Sequence, residues 1–338
     1  DYTDSSCPAL LLEPQRTNVV TNSEYVGGMS LQNISATANA TTSPEGVGNA
    51  YKVEPTGTGF KTIGNFVSVT ANLTYTISFF YKNVDHKNIG FYDNNTSGSE
   101  IQINVQDNTF TLGSNVINGN VEDYGNGWYR AYATFAASSG TLANYLIFRS
   151  DSNSGSYTAT GSSIYVYGFQ IEAGSYATSY IPTYGTSVTR NAETCFGAGN
   201  TATFNDSEGV LYIEGSFSQL IRLGISENAS TSNRILIGQS TTALTFIVTS
   251  QSVAVVNTSV SGYQFNQNLK IAAKYKQNDF ALWVNGVEVI TDTSGNTPIN
   301  LNSLDLKGQG FNAYGNVKQA LVFPTALSDA ELATLTTI

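Results

Sequence analysis

The sequence predicts an all-β protein of two antiparallel β-sandwich (jelly-roll) domains, ending in a short C-terminal helical turn. Three observations carry this. Hydrophobic alternation of period two recurs along the chain, clusters of Gly, Asn and Ser interrupt it at short intervals, and helical periodicity is confined to the tail. The 338 residues leave room for two ordinary domains.

The elements follow in chain order. Leu73, Tyr75, Ile77, Phe79 and Tyr81 alternate with Thr74, Thr76, Ser78, Phe80 and Lys82, the pattern of a strand with two different faces. Ile101, Ile103 and Val105 repeat it, and Asp107-Asn108 turns the chain into a hairpin partner at 109–112. Tyr129, Ala131, Ala133 and Phe135 form the next strand; after it, Ile164, Val166 and Gly168 oppose Tyr165, Tyr167 and Phe169. An extended, turn-rich stretch at 179–185, closing at Arg190 to Glu193, divides domain 1–190 from domain 191–338. Strand patterns resume at 211–217, 235–237, 244–248 and 269–275. Asn285-Gly286 lies between two apolar runs, the strongest short-range hairpin signal. Ser328 and Glu331 form a capping box ahead of Leu332 and Leu335, which starts the tail helix.

Charged residues are only 12% of the chain, while aromatics reach 12% through 20 Tyr and 17 Phe. Typical domains carry about a quarter charged residues, so neutral hydrogen-bonding groups cover this surface, as suits an extracellular or virion-surface protein. A formal charge of −10 with 15 scattered Lys and Arg argues against nucleic acid and against anionic membranes. No run approaches the roughly 18 apolar residues that span a bilayer. Cys7 and Cys195 each open a domain. They leave two readings open: a long-range disulfide, worth about 4–5 kcal/mol in the chain-entropy model, or two free thiols.

Three stretches go beyond generic β sequence. Residues 7–18 (Cys-Pro-Ala-Leu-Leu-Leu-Glu-Pro-Gln-Arg-Thr-Asn), Gly125-Asn126-Gly127-Trp128-Tyr129-Arg130 and the run from Gly168 to Thr183 together resemble a family of phage tail-associated, carbohydrate-binding-module-like domains over about residues 7–190. The hairpin from Phe280 to Gly286, with the tail through Val317, Leu321, Phe323, Ala326, Leu327, Ser328 and Glu331, resembles the concanavalin A-like (laminin-G-like) lectin and glucanase sandwich over about 195–338. The first resemblance implies a virion adhesion protein. It also implies a structural calcium near the domain termini, with Glu13 and Glu172 as the acidic oxygens. No cofactor is required, and a homotrimer is the assembly usual to the class. Glu13 and Arg16, with Glu172 and Arg190, are also placed to form a buried Arg–carboxylate lock between first and last strands.

Glycan binding needs an aromatic face for a sugar ring and neutral donors and acceptors for its hydroxyls. Candidates in the first domain are Phe91, Tyr92, Asp93, Asn94 and Asn95 on an expected loop, with Tyr124 and Tyr145. Those in the second are Trp283, Tyr275 and Tyr314, Trp283 foremost because its alternation with Leu282 and Val284 turns it away from their core. With this many tyrosines, most are packing residues, and Trp128 reads as a core anchor. Catalysis is not expected: the Glu-x-Asp-x-Glu signature of the glucanase branch is missing, and Glu100, Asp107, Glu214 and Glu288 stand isolated. The only histidine, His86, reads as a solvated loop residue, and no zinc set or nucleophile elbow exists. The reading is a tail- or head-fibre adhesin that grips host cell-surface polysaccharide non-covalently. Its rivals are a virion decoration protein contacting other virion proteins, and an accessory part of a polysaccharide depolymerase or lyase.

Overall fold

The computed structural model describes residues 10–217, 221–306 and 315–338. The chain is all-β: among the described residues, Asp329–Thr336 is the one α-helix, and its Ser328–Glu331 capping box is formed in both directions. The chain divides into two compact units, residues 15–190 and residues 1–14 with 191–338.

Unit 15–190 is a sandwich of two six-stranded antiparallel sheets. One has the order Thr109–Leu112, Ile101–Asn104, Asn88–Asp93, Thr141–Arg149, Thr62–Ser68, Ser30–Gln32; the other Asn118–Asp123, Tyr129–Ala136, Thr74–Asn83, Ile164–Ala173, Ala50–Pro55, Ile34–Thr41. From Thr62–Ser68 onward, most successive strands cross between the sheets, the habit of a jelly roll. Alternation explains the core. Tyr75, Ile77, Phe79 and Tyr81 from one sheet meet Ile89, Phe91, Leu146 and Phe148 from the other. Phe79 stacks on Phe169, with ring centroids 5.6 Å apart.

Phe169 departs from the sequence expectation, which set it with Tyr165 and Tyr167 on the face opposite Ile164 and Val166, whereas it shares their core. Gly168 takes φ +62°, and the pairing with Thr74–Asn83 slips between Tyr167 and Gln170. This bulge turns Phe169 inward. Beside it one pair of the expected lock is present, as an ion pair rather than a fork: Arg16 Nε lies 3.7 Å from Glu172 Oε2, beyond hydrogen-bond distance.

The other unit pairs a six-stranded sheet (Leu10–Leu12, Gly315–Phe323, Glu208–Phe217, Asn268–Lys276, Asp279–Val284, Val287–Asp292) with a five-stranded one (Val253–Ser261, Ala243–Ser250, Arg234–Gln239, Ile221–Ser226, Ser303–Asp305). Leu211, Ile213 and Leu282 of the first face Ile235, Ile237 and Phe246 of the second. The outer face of the six-stranded sheet is covered by the C-terminal helix, whose Leu332 packs on Val210, Tyr212 and Trp283.

The domain expectation of 1–190 needs correction at its start. Leu10–Leu12 pairs with Gly315–Phe323, Leu10 opposite Val317, and Leu12 is buried in the core of the unit built from 191–338. Of the three consecutive leucines Leu12 is the one buried there, while Leu10 stays 45% exposed. The chain thus leaves this unit after residue 14 and rejoins it at 191.

Candidate functional site

The outer face of the sheet containing Asn88–Asp93 and Thr141–Arg149 gathers the groups a sugar-binding surface needs. Since Phe91 and Leu146 point inward, their neighbours Tyr92 and Tyr145 point out, and the register sets them opposite one another. Their ring centroids are 6.0 Å apart. Phe66, on Thr62–Ser68, continues the row edge-on to Tyr145 at 5.7 Å and is 59% exposed.

Two strand-interior glycines keep this face low. Tyr145 pairs with Gly64, where a Cβ would come within 2.6 Å of its Cε1, so the ring lies across the glycine. At Gly90 a Cβ would meet Glu100 Oε1, so that carboxylate also lies flat on the sheet. A polar network continues from there. Arg149 Nη2 donates to Glu100 Oε1, Gln102 Nε2 donates to Glu100 Oε2 at 2.9 Å, and Asn153 Nδ2 donates to Gln102 Oε1 at 3.0 Å. Burial, then the Glu100 charge, raises the Tyr92 pKa, so its hydroxyl stays neutral and keeps its proton to donate.

Next to the aromatic row lies a cleft of about 380 Å³, lined by Tyr92, Asp93, Asn94, Ser97, Glu100 and Gln102 among others. Its wall is held by Asp93: Oδ1 accepts from Ala143 N–H at 2.7 Å, and the backbone N–H donates to Ser99 Oγ at 3.0 Å. Asp93 is 1% exposed, and its Oδ2 has no hydrogen-bond partner. A buried carboxylate oxygen without a donor is costly, and this one is closed off from solvent within the cleft wall.

Of the sequence candidates, Tyr92, Asp93, Asn94 and Tyr145 come together here. Asn95 sits beside them, its amide donating to Thr141 O. Phe91 does not: the strand runs to Asp93, so Phe91 is a core residue in contact with Phe79. Tyr124 is 45% exposed but on the opposite sheet, edge-on to Phe80 at 4.9 Å. Trp283 does face away from the main core, yet the C-terminal helix covers it and leaves 8% exposed. Tyr275 is fully buried, its hydroxyl donating to Asn205 O. Tyr314 lies outside the described residues. Trp128 is the buried anchor expected, its Nε1 donating to Thr42 O at 3.0 Å.

His86 corrects another expectation. It is 3% exposed, its Nε2 donates to the Asn88 carbonyl, and its Nδ1 faces Ser162 Oγ at 2.7 Å. Burial lowers its pKa below the ordinary histidine value.

The two carboxylates expected to hold calcium fall in different units. Glu13 belongs to the unit with 191–338 and Glu172 to unit 15–190. Glu172 is already bound by protein donors: Oε1 accepts from Thr178 N–H and Gln170 Nε2, Oε2 from the Thr178 hydroxyl. Among the described residues no three His, Cys, Asp or Glu side chains gather in a metal-binding group. Cys195 forms no disulfide among the described residues, and Cys7 lies outside them.

Sequence reasoning missed Phe66, Gln102, Arg149 and Asn153, and took Glu100 as isolated. Gly64 and Gly90, glycines inside apolar strand runs, were the available signal, because such glycines mark a close approach by another group.

No family model matches the chain, and no curated protein is found as a relative. Among solved structures it is similar to domains LG4-5 of the mouse laminin alpha1 chain, at 12% identity, covering 78% of this chain and 90% of that one with a TM-score of 0.28. A likeness that slight adds nothing to the description above.

Proposed function

We propose that the outer face of unit 15–190 binds glycan non-covalently, with pyranose rings stacked along Phe66, Tyr145 and Tyr92 and hydroxyls bonded in the adjoining cleft. One observation carries this reading: an aromatic row of exposed Phe66 and half-buried Tyr145 and Tyr92 ends at a cleft lined by Asn94, Ser97, Glu100 and Gln102. Each aromatic contact contributes about 0.5–1.5 kcal/mol, so single sites are weak and grip comes from many copies acting together. Both oxygens of Glu100 are engaged by Arg149 and Gln102, which suits a fixed acceptor better than a catalytic acid. The finer reading rests on the resemblance over residues 7–190: a virion-surface adhesin whose ligand is host cell-surface polysaccharide.

The test is binding of immobilised neutral polysaccharides by the full chain, with Tyr145→Ala and Asp93→Asn as variants. Each substitution is expected to weaken binding about tenfold, some 1.4 kcal/mol, without loss of the fold. Unchanged affinity in both would remove this face from consideration. Release of reducing ends on incubation would replace a binding role with a hydrolytic one.

A further inference from the structure

In the unit built from 191–338, the five-stranded sheet ends in an edge unlike the others. Val253–Ser261 is nine residues long and pairs only with Ala243–Ser250, so the N–H and C=O groups along its far side meet no strand among the described residues. The other terminal strands of the four large sheets are protected in the ways edges usually are. Leu10–Leu12, Ser30–Gln32, Thr109–Leu112 and Ser303–Asp305 are three or four residues long. Asn118–Asp123 and Val287–Asp292 each carry two carboxylates, and the pairing of Ile34–Thr41 slips between Thr37 and Thr41. Val253–Ser261 has neither charge nor proline. No Asp, Glu, Lys or Arg occurs from residue 235 to residue 269, in a chain of net charge −10. Its one register shift lies near its start, between the partners Val248 and Thr249, and 256–261 pairs regularly.

The pattern of this strand is complementary to itself. Val256 and Val260 turn toward the core, and Thr258, opposite the buried Phe246, lies on their face. Asn257, Ser259 and Ser261 lie on the other face and are exposed. Thr258 is exposed as well, although it faces inward, because the sheet stops at this strand. Two copies placed antiparallel about a two-fold axis at Thr258 set Val256 against Val260, Thr258 against Thr258 and Asn257 against Ser259. Apolar meets apolar on the inner face, amide meets hydroxyl on the outer one, and no like charges are opposed. A second observation fits the same register. It brings the partner's Ser261 and Gly262 beside Val255 and Ala254, where a cleft of about 340 Å³ separates this strand from Ser294, Gly295 and Asn296. Gly262 takes φ +102° and has open space around it, so the arriving segment is a slim one.

We propose that Val253–Ser261 is the contact of a homodimer, in which it pairs with the same strand of a second copy and joins two five-stranded sheets into one. A foreign peptide added to a sheet edge is selected through pockets for its alternate side chains; the outer row of Asn257, Ser259 and Ser261 offers none. The other edge of the sheet is the short Ser303–Asp305, whose Leu304 is already bridged to Ala198. Pairing therefore closes at two copies instead of growing into a fibre. A contact of one strand is small, so the association is weak and reversible. It shares no residue with the Phe66 face, and the two readings fail separately.

The experiment is sedimentation equilibrium of the full chain from micromolar to near-millimolar concentration. The expected result is a reversible monomer–dimer equilibrium with no larger species. Thr258→Lys, which sets two like charges face to face at the axis, should weaken dimerisation at least tenfold while thermal unfolding stays unchanged; Thr258→Glu should do the same. An equimolar mixture of these two variants should then associate more tightly than either alone, because opposite charges now meet. Ser259→Lys, on the outer row, should weaken dimerisation too, and serves if a charge at Thr258 prevents folding. The proposal is overturned if the chain stays monomeric throughout, if it grows beyond two copies, if the folded lysine variants dimerise like the parent, or if the Lys and Glu variants fail to pair with each other. Glycan binding by the monomeric variants, unchanged at a single site, would show that the Phe66 face stands without the dimer.

Discussion

At the residue scale, two side chains read from sequence as peripheral prove to be internal, and each makes a prediction. Trp283 is enclosed by Leu332, Ala281 and Tyr212, with its indole N–H lacking an acceptor. Trp283→Ala should cost about 3–5 kcal/mol of stability, read from urea unfolding, and leave glycan binding by the folded protein unchanged. A loss of affinity at full folding would return Trp283 to the ligand surface. His86 is the chain's only histidine and is neutral in its buried setting. Its folded pKa lies below its unfolded one, so the unfolded chain takes up a proton that the folded chain resists. The stability it contributes is therefore fully present above the unfolded pKa and drains as pH falls through the histidine range. Unfolding midpoints measured between about pH 5 and 7.5 should fall toward acid, and His86→Gln should flatten that slope.

Among elements, the hairpin of Asp279–Val284 and Val287–Asp292 shows what sequence reading does well. Asn285 and Gly286 have φ of 50° and 85°, the double left-handed turn that Asn-Gly favours. Gly286→Ala should cost about 1–2 kcal/mol, measured by denaturant midpoint; no cost would mean that the turn relaxes to another type. The same backbone logic explains the asparagine content. Eleven of the fourteen non-glycine residues with positive φ among the described residues are asparagine, including Asn33, Asn39, Asn72 and Asn228 of the Asn-x-Ser/Thr sequons. Part of what composition presents as a neutral surface is thus turn chemistry. Strand identity was legible because alternation is local. The facing of Trp283 was not, because the helix that covers it lies some 50 residues downstream. Phe169 was misread because one bulge reverses every later side chain. The candidate site was half legible: Tyr92, Asp93, Asn94 and Tyr145 carry a ligand-like composition, whereas Phe66 and Arg149 join them only through strand register.

For the whole molecule, the unit containing residues 191–338 takes a strand from far upstream. Leu12 is 4% exposed in its core, so Leu12→Ala should destabilise that unit by about 2–4 kcal/mol. The two tryptophans report the units separately, Trp128 in 15–190 and Trp283 in the other. In single-tryptophan variants (Trp128→Phe or Trp283→Phe), only the Trp283 fluorescence transition should move to lower denaturant. A matching shift at Trp128 would mean that the units unfold together.

The Leu10–Leu12 strand also orders events in time. During synthesis at about 5–20 residues per second, roughly 15–60 s separate the emergence of Leu10 from that of its partner Val317. Through that interval three leucines wait in water without a sheet to join. Meanwhile unit 15–190 can close, pairing Arg16 with Arg190 and bringing its entrance and exit together. A connection of some 300 residues then behaves as a much shorter tether, which trims the entropy of the last pairing by several tenths of a kcal/mol. The inserted unit is thereby a folding aid to its host: completed first, it delivers the waiting strand to the edge that is made last.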